Sequence, residues 1–246
     1  SVILVDADTY GASIAQVLAL LDEAPGVAAA ARAGDLGTLD LPALSRLAPE
    51  VLPRLRVLTG IPRPDRWPEI RAASFEEVLR LSKLLAEHVV VDCGFCLEDD
   101  EELSYDTRAP RRNATTLITL ESAEQVVVVG SGDPVGLQRL VRASQDLGGI
   151  PSGRPLVVVN RVRASAVGAD PQARIVEALG RFAGMEDLHL VPEDRETLDR
   201  LLLQGRVLAE GAPRSPAREA IRALAARVAP ERFGQAEMPA RRRRHR

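Results

Sequence analysis

Short β-branched apolar runs, divided by stretches of helical period, constrain this chain more than any other feature. The runs fall at residues 2–5, 56–58, 89–91, 126–129 and 156–159, with a weaker one at 188–191. Continuous Val/Ile/Leu runs of this length read as strands buried on both faces, as in a parallel sheet. The stretch 74–87 places Phe75, Val78, Leu79, Leu81, Leu84 and Leu85 on one helical face. Strand and helix alternate throughout, so the expected fold is α/β, a doubly wound and mostly parallel sheet with right-handed crossovers. Residues 24–68, rich in Gly and Pro, read as a helix, a long connection and one strand. A closing helix is marked by Ser215 as N-cap and Pro216 at the first position, with Ile221, Leu224, Ala225 and Val228 on one face before Pro230. Residues 1–229 form the expected domain. Residues 230–246 lack periodicity, end in RRRRHR, and read as a disordered basic tail.

Composition removes several classes of function. A chain of 246 residues with 46% hydrophobic and 27% charged residues has enough apolar mass for a real core. No apolar run approaches the roughly 20 residues of a membrane span. A formal charge of −3 gives the body no electrostatic case for nucleic acid. Two cysteines and no leader-like start argue for a reducing compartment, with the cytoplasm expected.

In an open parallel sheet, ligands bind at the carboxyl ends of the strands, so the residues following each apolar run carry the chemistry. Here these are Asp6 and Asp8, Asp92, Gly130 and Ser131, and Asn160. Asp6 and Asp8 are two apart and can face the same side of an extended strand end, a pairing suited to hydrated magnesium or an attacking water. Asp92 after three valines has the form of a strand-end aspartate in a magnesium shell. The plainer reading is that each aspartate caps a following turn.

VDADTYG at 5–11, VVVDCG at 89–94, VVVNRV at 157–162 and VPED at 191–194 together resemble the deviant P-loop ATPases of the MinD and ParA class, in order and in spacing. DADTYG and DCGFCLEDDEELSYDT resemble in particular the actinobacterial CpaE-like, septum-site-determining branch. The resemblance covers residues 2 to about 228. It implies that Asp8 orients the hydrolytic water and that Asp6 and Asp92 serve the magnesium shell, with 93–106 as a switch segment. It also implies that Asn160, with Arg161 beside it, meets adenine, and that Pro192 and Asp194 belong to the loop closing over the base. A complete homologue would bind ATP and Mg2+, form a homodimer, and engage a protein partner of division or secretion machinery, in the cytoplasm or peripherally at a membrane or pole.

One departure limits that reading. The class has a first strand, a glycine-rich loop with lysine, and a first helix ahead of the segment matching Val2. Lys83, the only lysine, lies inside an amphipathic helix with no such loop before it. Without loop amides and lysine nothing grips the β- and γ-phosphates, so this chain is expected to bind nucleotide weakly and not to hydrolyse it. Either the chain is a fragment, the reading its start favours, or it is a degenerate, non-catalytic scaffold. A metabolic P-loop enzyme would need a substrate pocket that the sequence does not reveal.

Other signals are weaker. Gly130, Gly132 and Gly136 are spaced GxGxxxG, one residue longer than a dinucleotide fingerprint, and Asp133 with Pro134 reads more simply as a helix start. Cys93 and Cys96 form a CxxC, read as small residues of a mobile segment in preference to a redox pair. His88, His189 and His245 match no zinc spacing. The acidic run at 98–102 reads as a solvated loop, with a docking face as the alternative. Arg241, Arg246 and the arginines between them could attract nucleic acid or anionic lipid, a solvated tail being the preferred reading. No apolar face for a membrane helix follows Val228.

Overall fold

The computed structural model describes residues 1–20, 26–98, 110–149 and 154–233. The acidic run beyond Glu98 and the basic end from 234 lie outside the described residues. The chain divides into two compact units, one spanning Ser1–Glu124 and the other beginning at Gln125.

The first unit is built on a four-stranded sheet of order β2-β3-β1-β4. Its strands are β1 (Val2–Ala7), β2 (Glu50–Leu52), β3 (Leu55–Leu58) and β4 (His88–Cys93), and its helices are α1 (Ile14–Val17), α2 (Gly26–Asp35), α3 (Leu41–Leu47), α4 (Ala72–Leu85) and α5 (Ala114–Ser122). Strand β1 is central and pairs in parallel with β3 on one side and β4 on the other. Alternate β1 residues Ile3, Val5 and Ala7 enter one core with Val27 and Ala31 of α2, Leu44 of α3, and Phe75, Val78 and Leu81 of α4. Burial of each of the larger side chains contributes about 1.5–3 kcal/mol. Helix α5 docks through Thr115, whose hydroxyl donates to the Ala7 carbonyl at 3.0 Å.

Residues 26–68 hold more structure than the Gly/Pro-rich composition suggests. Helix α3 is capped by the Asp40 carboxylate, which accepts from the Ala43 amide at 2.7 Å. Strand β2 pairs antiparallel to β3 across Pro53 and Arg54, with Arg54 at φ 66°. Glycine or asparagine is the usual occupant of that backbone region, so the turn carried no readable signal.

The second unit is a three-stranded parallel sheet of order β5-β6-β7, made of β5 (Val127–Ser131), β6 (Leu156–Val162) and β7 (Leu188–Pro192). Its helices are α6 (Pro134–Asp146), α7 (Ala164–Val167), α8 (Pro171–Ala183), α9 (Arg195–Leu203), α10 (Leu208–Gly211), α11 (Pro216–Val228) and α12 (Pro230–Phe233). Helix α11 begins as its sequence requires: the Ser215 hydroxyl accepts from the Arg218 amide and Pro216 follows. Its inner residues Ala217, Ala220 and Leu224 pack on Val158 and Val191.

Every expected strand is present, and the fold is the parallel α/β type expected. The glycines at the end of β5 and the start of α6 are steric. A Cβ on Gly130 would lie 2.7 Å from Leu140 Cβ, and one on Gly136 2.5 Å from the Ser131 carbonyl oxygen. Asp133 caps α6 by accepting from the Gly136 amide at 3.0 Å, with Pro134 at the first position.

Candidate functional site

In the first unit, the parallel register sets Asp6 directly beside Asp92 and Ala7 beside Cys93. Neighbouring strands lie about 4.8 Å apart, so the Asp6 and Asp92 backbones share one end of the sheet. Asp6 is buried, at 1% exposure. Its Oδ2 accepts from the Ser13 and Ile14 amides, each at 3.0 Å, and its Oδ1 accepts weakly from the Asp8 amide at 3.4 Å. Asp6 therefore organises the loop leading into α1. Burial pushes its carboxyl above the ordinary value, opposed by the Ile14 amide and reinforced by the Asp92 charge. Asp8 continues the loop: its Oδ1 accepts from the Tyr10 amide at 2.8 Å, an Asx turn. Partial loss of hydration raises the Asp92 carboxyl, which still reaches solvent, and the Asp8 charge raises it further.

Among the described residues, no ion pair involves Asp6, Asp8 or Asp92. Nor do three His, Cys, Asp or Glu side chains converge as a preformed metal cage among them. Magnesium is commonly held by one or two carboxylates together with water and phosphate, which is the donor set this sheet end offers. Lys83, the one lysine of the chain, sits in α4 and donates to the Ser122 carbonyl at 3.0 Å.

Two glycines let the chain close around these carboxylates. A Cβ on Gly60 would sit 2.5 Å from Ala12 Cβ and 2.7 Å from Asp6 Cγ, and one on Gly94 would sit 3.2 Å from Asp8 Oδ1. Around them Tyr10 stacks under the Arg112 guanidinium, 3.8 Å from its centroid, and against Phe95 at 4.8 Å. Burial pushes the Cys93 thiol up to about 11, which keeps it protonated near neutrality and uncouples it from thiolate chemistry.

In the second unit, Asn160 ends the regular part of β6, opposite Ser131. Its Oδ1 accepts from the Arg161 amide at 2.8 Å and its carbonyl from the Gly132 amide at 2.7 Å. The register with β7 shifts between Val159 and Val162, and Arg161 occupies this bulge at φ 57°. Pro192 pairs with Val162, and the Glu193 amide donates to the Val162 carbonyl. Arg163 bonds the Arg161 carbonyl and pairs with Glu193 at 3.6 Å. Asp194 accepts from the Ser215 hydroxyl at 2.6 Å, which ties the start of α9 to the start of α11 and lowers its carboxyl pKa.

The structure thus brings Asp6, Asp8 and Asp92 together in one unit, and Asn160, Arg161, Pro192 and Asp194 in the other. Sequence reasoning did not single out Tyr10, Gly60, Arg112 or Asn113. Only Gly60, a glycine directly after a strand and one threonine, carried a local signal.

No family model matches the sequence, and no curated protein matches it. The fold does match solved structures. A ParA family ATPase from Chlorobium tepidum superposes with a TM-score of 0.70 at 17% identity, over 91% of this chain and 85% of the other. The septum site-determining protein MinD of Pyrococcus horikoshii, complexed with Mg-ADP, gives 0.68 at 19% identity, over 96% and 86%. The MinC:MinD cell division complex of Aquifex aeolicus gives 0.65 at 16%, over 98% and 86%. The chain has the α/β fold of the ParA/MinD class of P-loop ATPases.

Proposed function

We propose that this protein is a CpaE-like member of the ParA/MinD ATPases, which positions division, secretion or pilus machinery by nucleotide-gated homodimerisation. The observation that carries this reading is the register of Asp6 against Asp92 at the carboxyl end of a parallel sheet, with Asp8 two residues on. In this reading Asp6 and Asp92 serve a magnesium shell and Asp8 orients the attacking water. Asn160 and Arg161, aimed by the bulge in β6, face the adenine, with Pro192 and Asp194 in the loop beside it. Magnesium, when bound, supplies charge neutralisation at the phosphates. The MinC:MinD complex motivates a protein partner, and the Mg-ADP of the Pyrococcus protein motivates the cofactors.

The same reading places the phosphate-gripping strand, loop and helix outside residues 1–246. Two exposed sheet edges support it. Among the described residues β4 pairs on one side only, as does β5, and on their faces Val90 and Val129 stay 52% and 61% exposed. Long apolar edges without Pro, Lys or a bulge are unusual in finished sheets. Calorimetry of residues 1–246 with Mg-ATP is expected to show no micromolar binding and no turnover. A chain extended ahead of Val2 by a strand, a glycine-rich lysine loop and a helix is expected to gain both. Tight binding and magnesium-dependent turnover by residues 1–246 alone would refute this placement. Binding and dimerisation of the extended chain without turnover would favour a non-catalytic scaffold.

A further inference from the structure

We propose that Tyr10 is the positioning residue of the carboxylate ledge, its clamped ring holding the backbone amide that fixes Asp8. This inference rests on the reading that Asp8 orients a water. The Tyr10 amide donates to Asp8 Oδ1 at 2.8 Å, while Oδ2 lies beside Gly11, 3.7 Å from where a Cβ there would sit. A single amide on a loop would hold a carboxylate only as well as the loop itself is held. The ring provides that restraint from three directions. Its hydroxyl donates to Asn113 Oδ1 at 2.8 Å. The Arg112 guanidinium lies over one face at 3.8 Å, and Phe95 packs at 4.8 Å with a 46° tilt. Cation–π and tilted aromatic contacts both resist lateral sliding of the ring.

The partners are themselves anchored. The Arg112 side chain donates to the Thr9 carbonyl at 3.2 Å, and the Thr9 hydroxyl donates back to the Arg112 carbonyl at 3.1 Å. The Asn113 amide group donates to the Glu98 carbonyl at 2.8 Å and to Cys96 Sγ at 3.3 Å. Gly94 closes the ring's remaining side: a Cβ there would lie 3.2 Å from Tyr10 Cδ2 and equally close to Asp8 Oδ1. Tyr10 thus joins the loop after β1, the loop after β4 and the start of α5, and Asp8 takes its orientation from that junction.

Two variants separate the contributions. Tyr10→Phe removes only the hydroxyl bond to Asn113; Tyr10→Leu removes the stacking as well. In residues 1–246, amide hydrogen exchange at position 10 is expected to rise about tenfold or more in Tyr10→Leu, and less in Tyr10→Phe. Exchange at Val5 and Val91 in the strands should not change. In the loop-bearing chain, kcat is expected to fall about a hundredfold in Tyr10→Leu with KM for ATP unchanged, and Tyr10→Phe should recover most of it. Unchanged exchange at position 10 in both variants overturns the proposal, as does a fall in kcat matched by a rise in KM. Should Tyr10→Leu fail to fold, exchange in Tyr10→Phe decides alone. Absence of turnover in the unsubstituted loop-bearing chain would sink the hydrolysis reading and leave the exchange result to judge the clamp.

Discussion

The two sheets end in opposite electrostatic conditions. In the first unit Asp6 and Asp92 are raised above the ordinary carboxylate value and no cation of the described residues pairs with them. In the second, Asp194 is lowered by Ser215 and Glu193 is paired with Arg163. One end pairs its carboxylates with a hydroxyl and a guanidinium; the other meets its buried carboxylate with backbone amides alone. The backbones differ in the same sense. The first unit reaches its site with regular strand ends and glycines, whereas the second bends β6 and holds Arg161 at φ 57°. Clustered carboxylates raised by burial and a neighbouring charge are a common mark of functional sites, and so is local backbone strain. Each unit contributes one of these marks.

The strongest way to break this contrast is Asp8→Ala in the loop-bearing chain. If the uncompensated end performs chemistry, turnover should fall by about a hundredfold or more while nucleotide affinity is spared, because a water-orienting group acts in the transition state. Single-turnover kinetics with a binding titration would show it. Unchanged turnover would leave the ledge a structural feature only.

Next in size is Gly60→Ala. The added methyl would meet Ala12 and Asp6 at 2.5 and 2.7 Å, so a loss of about 1–3 kcal/mol is expected in urea denaturation. Gly11→Ala is the control. Its Cβ would lie 3.7 Å from Asp8 Oδ2, ordinary contact, and stability should barely move.

A smaller effect tests the charge itself. Asp6 and Asp92 hold their protons more tightly in the folded state than in the unfolded chain. Their favourable contribution is therefore full below the ordinary value of 3.8 and is lost as pH rises through their raised values. Asp92→Asn should remove part of that loss. The gain at pH 7 is a few tenths of a kcal/mol, since Asp92 is exposed and screened, and it should vanish near pH 3. Paired thermal melts at the two pH values measure it, and destabilisation at pH 7 would contradict the assignment.

Much of this arrangement was legible from strand periodicity. The runs ending in Asp6, Asp92 and Asn160 are short and mostly β-branched, which favours strands over helices, and parallel connection then put their polar followers at one kind of edge. The supporting set around Tyr10 was not legible. Arg112 and Asn113 reach Thr9 and Tyr10 across 103 residues of sequence, and no local pattern encodes a contact of that range. The bulge at Arg161 was hidden for another reason: arginine is a poor advertisement for a left-handed backbone, where glycine or asparagine would have announced a turn. The same holds for Arg54 between β2 and β3.

The finest discrimination comes from relieving the strain at Arg161. A left-handed conformation costs a non-glycine residue about 1–2 kcal/mol. Glycine removes that cost but adds roughly 0.5–1 kcal/mol of chain entropy to the unfolded state. The guanidinium of Arg161 makes no hydrogen bond among the described residues, so little else is lost. Arg161→Gly should therefore change stability by about 1 kcal/mol or less, on the stabilising side. Val159→Gly, two residues earlier and fully buried, should cost several-fold more, about 2–4 kcal/mol. If the strained bulge exists to present Asn160 and Arg161 to a base, Arg161→Gly in the loop-bearing chain should weaken ATP binding while its melting temperature holds. A variant that binds ATP as the parent does would remove the Arg161 side chain from the base contacts and leave Asn160, still held by the same bulge, as the residue to test by Asn160→Ala.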